Sequence, residues 1–132
     1  ARVIMSPASN YHGRVQAKLS QRLFQLAGQA FVEASVATPA GLFVPDVAWA
    51  SAEFLAQHGN ETPFTRAPEL YIEVASPSNS LKELNEKVAA YLSTGAVEAW
   101  IVFLQSKRFE FYGTEGPLAH TRYAIELSAL FD

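Results

Sequence analysis

The sequence predicts an α/β (α+β) fold in which a mixed β-sheet is flanked by helices. Its 132 residues, 49% hydrophobic and 17% charged, have the composition of one compact domain. Amphipathic segments with helical spacing alternate with short strand-like runs, in the order strand, helix, three strands, helix, two strands. No internal repeat, linker or low-complexity tract interrupts the chain, so we expect a single domain over residues 1–132.

The first half of the chain predicts a strand, a helix and a hairpin. Residues 2–5 are strand-like, and four leucine and valine positions between 10 and 27 recur at spacings of four, four and three, with Gly28 as the predicted stop. The runs 29–37 and 42–49 flank the turn residues 38–41 and should pair antiparallel.

The second half predicts a short helix over 51–58, a strand over 69–75, a second long helix, and strands over 99–104 and 108–112. The long helix should begin at Ser80, because Ser80 and Glu83 form a capping-box pattern, and end at Gly95. Its predicted apolar stripe is Leu81, Leu84, Val88, Tyr91 and Leu92. Residues 123–130 predict a further strand or a last helical turn.

Composition also excludes several classes of function. The chain has no cysteine, which removes thiol catalysis and Cys-ligated metal sites and favours a reducing compartment such as the cytoplasm. A net charge of −3 gives no basic field, so any phosphate contact must be local. The apolar runs are too short for a membrane span, and the first residues do not form a signal peptide.

The acidic residues are unevenly distributed. Eleven of the thirteen are Glu, and one of the two Asp residues, Asp46, lies inside the apolar segment 43–49. Glu73 lies in the middle of the predicted strand 69–75, on the face opposite that of its apolar neighbours. Because a buried, unpaired carboxylate is costly, such a pair should be hydrogen-bonded, protonated or bound to a cation.

Oxygen ligands favour magnesium over zinc, and the Val74 carbonyl is a natural third ligand beside Asp46 and Glu73. Lys87 lies at the edge of the second long helix's apolar stripe, from where its ammonium could reach the sheet and assist metal-dependent phosphodiester hydrolysis. The alternative stays open at this point: a Glu on a half-exposed sheet face and a lysine that extends into solvent.

The residues that carry these features resemble a known family. They are Met5-Ser6-Pro7, His12 to Val15, Val44-Pro45-Asp46-Val47, residues 67–78, Glu86 to Tyr91 and residues 95–102. Nearly the whole chain resembles the Uma-two family of endonucleases, which belongs to the PD-(D/E)xK, or restriction-endonuclease-like, superfamily.

The resemblance implies a core of helix, three strands, helix and strand, which matches the order predicted above. It also implies that Asp46 is the acid of the Pro-Asp motif, that Glu73 is the second acid, and that Lys87 is a catalytic lysine moved to the following helix. The usual lysine position holds Ala75. We further expect that part of the family's N-terminal segment is missing from this sequence.

Further residues have more than one interpretation. Glu33 is either an auxiliary metal ligand, an acid that positions Lys87, or a solvated side chain. His12, which resembles a family histidine at the start of the first helix, either contacts phosphate or a metal-bound water, or packs locally. The candidate phosphate contacts are Arg14, Lys18, Arg22, Arg66 and Lys82, each of which is otherwise a surface charge.

The aromatic residues of the strands fit the core or an interface, so we expect a homodimer or higher homo-oligomer. They are Trp49, Trp100, Phe103, Phe109 and Phe111.

Two functions follow as expectations. The first is an endonuclease that uses Mg²⁺ or Mn²⁺ to hydrolyse DNA. The second is a nuclease-like domain without turnover that serves as a DNA-binding or protein-interaction module, which the net charge of −3 favours. RNA is a weaker third possibility, because nothing in the sequence reads a 2′-hydroxyl.

Overall fold

The computed structural model describes residues 9–132. The strand predicted over residues 2–5 lies outside the described residues. The elements, in chain order, are α1 (Asn10–Leu23), β1 (Gln29–Phe31), β2 (Val36–Thr38), β3 (Gly41–Phe43), β4 (Val47–Ala50), α2 (Ala52–His58), β5 (Leu70–Ala75), α3 (Leu81–Ser93), β6 (Glu98–Phe103), β7 (Arg108–Gly113) and β8 (Gly116–Leu118).

Six strands form one mixed sheet in the order β1-β4-β5-β6-β7-β8, and β2 and β3 form a separate hairpin. Only the β5–β6 pair of the six-stranded sheet is parallel, and α3 is its crossover. The elements α1, β1, β4, β5, α3 and β6 reproduce the predicted order of helix, three strands, helix and strand, so the predicted fold class is confirmed.

The sheet is covered on both faces, which agrees with the alternation predicted along β5. Tyr71 and Ala75 pack with α2 and α3 on one side, here called the α3 face. Leu70, Ile72 and Val74 pack with α1 and with residues 123–131 on the other side, here called the α1 face. Glu73 therefore belongs to the α3 face.

The first helix ends earlier than predicted, at Leu23 instead of about residue 27. Leu23 is its last fully buried position, and the next residue, Phe24, is 69% exposed. The chain then turns back toward β4 through Gly28, which has a φ of 100°. A Cβ on Gly28 would lie 2.3 Å from the Ala50 carbonyl oxygen, so only glycine fits this turn.

The two long strands predicted on either side of the turn at residues 38–41 are each broken in two. Their antiparallel pairing is confirmed, since β2 pairs with β3 across the turn and β1 pairs with β4. The first break contains Glu33, whose φ of 60° does not fit a strand, and the second contains Pro45, which has no N–H for a ladder.

The second long helix has the predicted start, because Ser80 caps it by accepting a hydrogen bond from the Glu83 amide at 3.1 Å. One member of its predicted stripe is wrong: Leu81, in the first turn, is 64% exposed, and the buried face of the helix begins at Leu84.

The last part of the chain also differs from the prediction. Residues 123–130 form neither strand nor helix, and the final strand is instead β8, which the sequence analysis missed. The segment 123–131 packs its apolar side chains on the α1 face, against Phe109 and Phe111 among others. Because this segment covers part of the aromatic surface, the homo-oligomer stays a prediction.

None of the helices within residues 9–132 is long and apolar enough to cross a membrane.

Candidate active site

Asp46 lies in the bend immediately before β4, beside the edge of β5. β4 begins at Val47, which pairs with Ile72, so no residue of β4 pairs with Val74. Asp46 Oδ2 instead accepts a hydrogen bond from the Val74 amide at 2.7 Å. The carboxylate therefore occupies the place where the ladder would have continued, which fixes it against β5.

His12 contacts the other backbone group of Val74, its carbonyl oxygen. Its Nε2 lies 2.9 Å from the Val74 carbonyl oxygen and 3.6 Å from Asp46 Oδ2. The side chain is buried at the start of α1, where the His12 amide donates to the Ser9 hydroxyl that caps the helix. The structure thus places His12 at the site, within reach of two of the predicted metal ligands.

Glu73 approaches from the α3 face and is 6% exposed. Tyr91 on α3 donates a hydrogen bond to Glu73 Oε1 at 2.8 Å. Burial first, and then the negative charge of Asp46, raise the pKa of Glu73 to about 7, whereas Lys87 and the Tyr91 hydroxyl act to lower it. Because the charge of Asp46 contributes to this rise, the two carboxylates repel each other when both are ionised.

Lys87 is one helical turn before Tyr91, with a half-buried side chain. Its ammonium lies 3.8 Å from Glu83 Oε1, and its charge lowers the pKa of Glu73. The structure therefore brings Asp46, Glu73, Lys87 and His12 to one place, from three secondary-structure elements and a bend.

The donor atoms of the site suit a hard divalent ion. The Val74 amide binds Asp46 Oδ2 and the Tyr91 hydroxyl binds Glu73 Oε1, so within residues 9–132 the backbone and hydroxyl donors leave Asp46 Oδ1 and Glu73 Oε2 unoccupied, although a protonated Glu73 can donate to Asp46. The Val74 carbonyl is engaged by His12, but a carbonyl oxygen has a second lone pair. Two carboxylates in mutual repulsion with free oxygens fit Mg²⁺ or Mn²⁺. No cluster of three or more His, Cys, Asp or Glu residues suited to metal binding occurs in the described part of the chain.

The remaining predicted residues lie elsewhere. Glu33 is exposed in the break between β1 and β2, and Lys82 is exposed in the first turn of α3. Arg14 is exposed on α1, with its guanidinium 5.6 Å from the Tyr11 ring centre. Lys18 donates to the Asp132 carbonyl at 2.6 Å, and Arg22 donates to the Glu126 carbonyl at 2.6 Å. These two cations thus hold the C-terminal segment on α1.

Sequence reasoning missed two polar residues. Tyr91 was assigned to the apolar stripe of α3, although a tyrosine one turn after a candidate lysine signals a hydroxyl near the same site. Glu98 is 1% exposed and accepts hydrogen bonds from Trp100 Nε1, Thr121 Oγ1 and the Arg122 amide. The sequence signal that could have identified Glu98 is the one that identified Asp46, namely an acid beside an apolar strand.

Comparisons with known proteins identify the family and the fold. Residues 2–128 match the model of the family Uma2, described as "Putative restriction endonuclease". Among solved structures, the chain is similar to "a putative nuclease belonging to DUF820" from Anabaena variabilis ATCC 29413, with a TM-score of 0.71 and 19% identity, over 95% of this chain and 71% of that chain. At this identity the likeness shows a shared fold. No curated protein matches the chain.

Proposed function

Because the chain belongs to the Uma2 family, we propose that it is a metal-dependent endonuclease that hydrolyses DNA phosphodiester bonds. The family and the nuclease-like fold support a nuclease, and the site supports the choice of chemistry. The observation that carries the proposal is the convergence of Asp46 and Glu73, whose charges repel and whose free oxygens suit a cation.

Asp46, Glu73 and the Val74 carbonyl would hold Mg²⁺ or Mn²⁺. When bound, such an ion lowers the pKa of water and offsets negative charge on the phosphate. Asp46 is pre-oriented for this role, because its other oxygen is fixed by the Val74 amide. Glu73 is fixed in the same manner by Tyr91.

Lys87 would act on the reacting phosphate. Its ammonium is a three-donor cation that is half-buried and contacts only Glu83, at 3.8 Å, among the ion pairs of the described residues. In that position it can orient the attacking water and stabilise the charge that develops on the phosphate oxygens. His12 Nε2 lies near both Asp46 Oδ2 and the Val74 carbonyl oxygen, so His12 would keep these two ligand groups in place.

DNA backbone contacts would come from exposed cations near the start of helices α1 and α3. Arg14 and Lys82 are exposed and available for phosphate, whereas Lys18 is engaged by the C-terminal segment. Because the net charge is −3, these contacts are local, and two cations should give a shallow decrease of DNA affinity with salt, with a slope of log affinity against log salt of about −2.

The test is the nicking of supercoiled plasmid by the wild-type protein with Mg²⁺ or Mn²⁺, beside the variants Asp46→Ala and Lys87→Ala. We expect both variants to lose at least about 100-fold in nicking rate, since each removes a group that acts on the reacting centre. Arg108→Ala is a matched control, because it removes a cation that pairs with Glu110 on β7 instead. Equal nicking by all four proteins would refute the assignment.

A second candidate is a nuclease-like module without turnover, and one observation favours it: His12 Nε2 lies on the Val74 carbonyl, one of the three predicted ligands. Calorimetric titration with Mn²⁺ separates the two. The nuclease proposal requires saturable binding that Glu73→Gln abolishes, and the module requires none.

A further inference from the structure

We propose that Tyr91 is a positioning residue, which holds the Glu73 carboxylate in one orientation and leaves the second oxygen of that carboxylate free. The functional consequence rests on the nuclease function proposed above. The orientation of the Glu73 carboxylate does not depend on that function, because it concerns only the position of one side chain.

The contact between Tyr91 and Glu73 is direct and buried. The Tyr91 hydroxyl donates to Glu73 Oε1 at 2.8 Å, and the exposed fractions of the two residues are 1% and 6%. No other donor among residues 9–132 makes a hydrogen bond to the Glu73 side chain. One hydroxyl therefore selects which oxygen of the Glu73 carboxylate is occupied and which one is left for other partners.

The ring that carries this hydroxyl is fixed on two sides. It stacks on the Tyr71 ring with centroids 4.0 Å apart and planes 14° apart, and the Phe43 ring meets it edge-on at 5.9 Å and 79°. Both partners come from segments that flank the acids, since Phe43 ends β3 before Asp46 and Tyr71 precedes Glu73 on β5. A ring held in this way cannot move its hydroxyl far from the carboxylate.

Helix α3 links this contact to the candidate lysine. Lys87 and Tyr91 are four residues apart and lie on the same side of the helix. A displacement of α3 would therefore move the lysine and the tyrosine together relative to Glu73 on β5.

Tyr71 provides a matched control. Its hydroxyl is buried but has no hydrogen-bond partner in the described part of the chain. Tyr71→Phe and Tyr91→Phe thus remove the same atom from two stacked rings in the same core, and only one of the two atoms touches Glu73.

The experiment compares the wild type, Tyr91→Phe and Tyr71→Phe in two ways. Crystal structures in EDTA should show the Glu73 carboxylate rotated or spread over two orientations in Tyr91→Phe, and unchanged in Tyr71→Phe. In plasmid nicking, Tyr91→Phe should lower kcat about tenfold with KM unchanged, the effect of one lost buried hydrogen bond, and Tyr71→Phe should keep the wild-type kcat.

An unchanged Glu73 orientation in Tyr91→Phe would overturn the inference, as would equal kcat values for the two variants. If the wild type itself does not nick DNA, the proposed function fails, and the crystallographic comparison still decides whether Tyr91 positions Glu73.

Discussion

Two glutamates are buried in neighbouring parallel strands of this sheet, and their surroundings differ. Glu98 begins β6 on the α1 face and accepts three hydrogen bonds, from Trp100, Thr121 and the Arg122 amide. Glu73 lies on the α3 face of β5, accepts one hydrogen bond, and faces a second carboxylate. The two side chains share a residue type and a degree of burial, and they differ in the number of donors that surround them.

This difference shows that burial alone does not distinguish a structural glutamate from a candidate metal ligand. A carboxylate surrounded by donors stabilises the structure, because its charge is compensated inside the protein. A carboxylate with a free oxygen beside another acid destabilises the metal-free protein and is suited to binding a cation. The number of donors therefore separates the structural glutamate from the candidate ligand.

The largest effect should come from Glu98→Ala, which leaves three buried donors without their acceptor and opens a cavity. We expect the free energy of unfolding to fall by about 4 kcal/mol, measured by urea denaturation. Glu98→Gln is the control, because it keeps one acceptor oxygen and should cost less. A loss below about 1 kcal/mol for Glu98→Ala would show that the three bonds contribute little to stability.

The opposite sign is expected at Glu73. In EDTA at pH 8, Glu73→Gln should raise the free energy of unfolding by about 2 kcal/mol, because it removes a charge that burial and Asp46 disfavour. The Gln carbonyl can still accept from Tyr91, and its amide can donate to Asp46.

The pH dependence follows from the raised pKa of Glu73. Between the ordinary value of 4.5 and about 7, the folded protein binds a proton that the unfolded chain has lost. The free energy of unfolding of the wild type should therefore fall relative to that of Glu73→Gln as the pH rises through this range. Below the range, the ionisation of Glu73 should cause no difference between the two proteins. Urea denaturation at pH 4 to 8 measures the difference, and a constant difference at all pH values would contradict the prediction.

The smallest effect should come from Thr121→Val, which removes one of the three donors to Glu98 and keeps the shape of the side chain. We expect a loss of about 1 kcal/mol, with wild-type nicking for a folded nuclease. Thr121→Ser keeps the hydroxyl and should restore most of the stability. Equal stability of Thr121→Val and the wild type would show that two donors are enough for Glu98.

Much of the fold could be predicted from the sequence, because its strongest signals are local. The Ser80 cap and the spacing of Leu84 and Val88 define α3, and the alternation along residues 70–75 assigns the two faces of β5. The breaks near Glu33 and Pro45 were missed because a positive φ and a missing ladder bond depend on how neighbouring strands meet.

The site was predictable in part for the same reason. Asp46 and Glu73 are conspicuous as acids in apolar segments. The role of Tyr91 and the bonds of Thr121 and Arg122 to Glu98 depend on contacts between residues 18, 23 and 24 positions apart, which no spacing rule gives. The use of Lys18 and Arg22 by the C-terminal segment has the same origin.

The segment 123–131 on the α1 face also bears on how the chain folds. Arg22 meets the Glu126 carbonyl across 104 positions, and the Tyr11 hydroxyl meets the Phe131 carbonyl across 120. During synthesis, α1 therefore leaves the ribosome long before the residues that cover its face exist. Until the sheet strands and this segment emerge, the apolar side of α1 is open to chaperones and to other nascent chains, and truncation before residue 123 would expose the part of the α1 face that this segment covers.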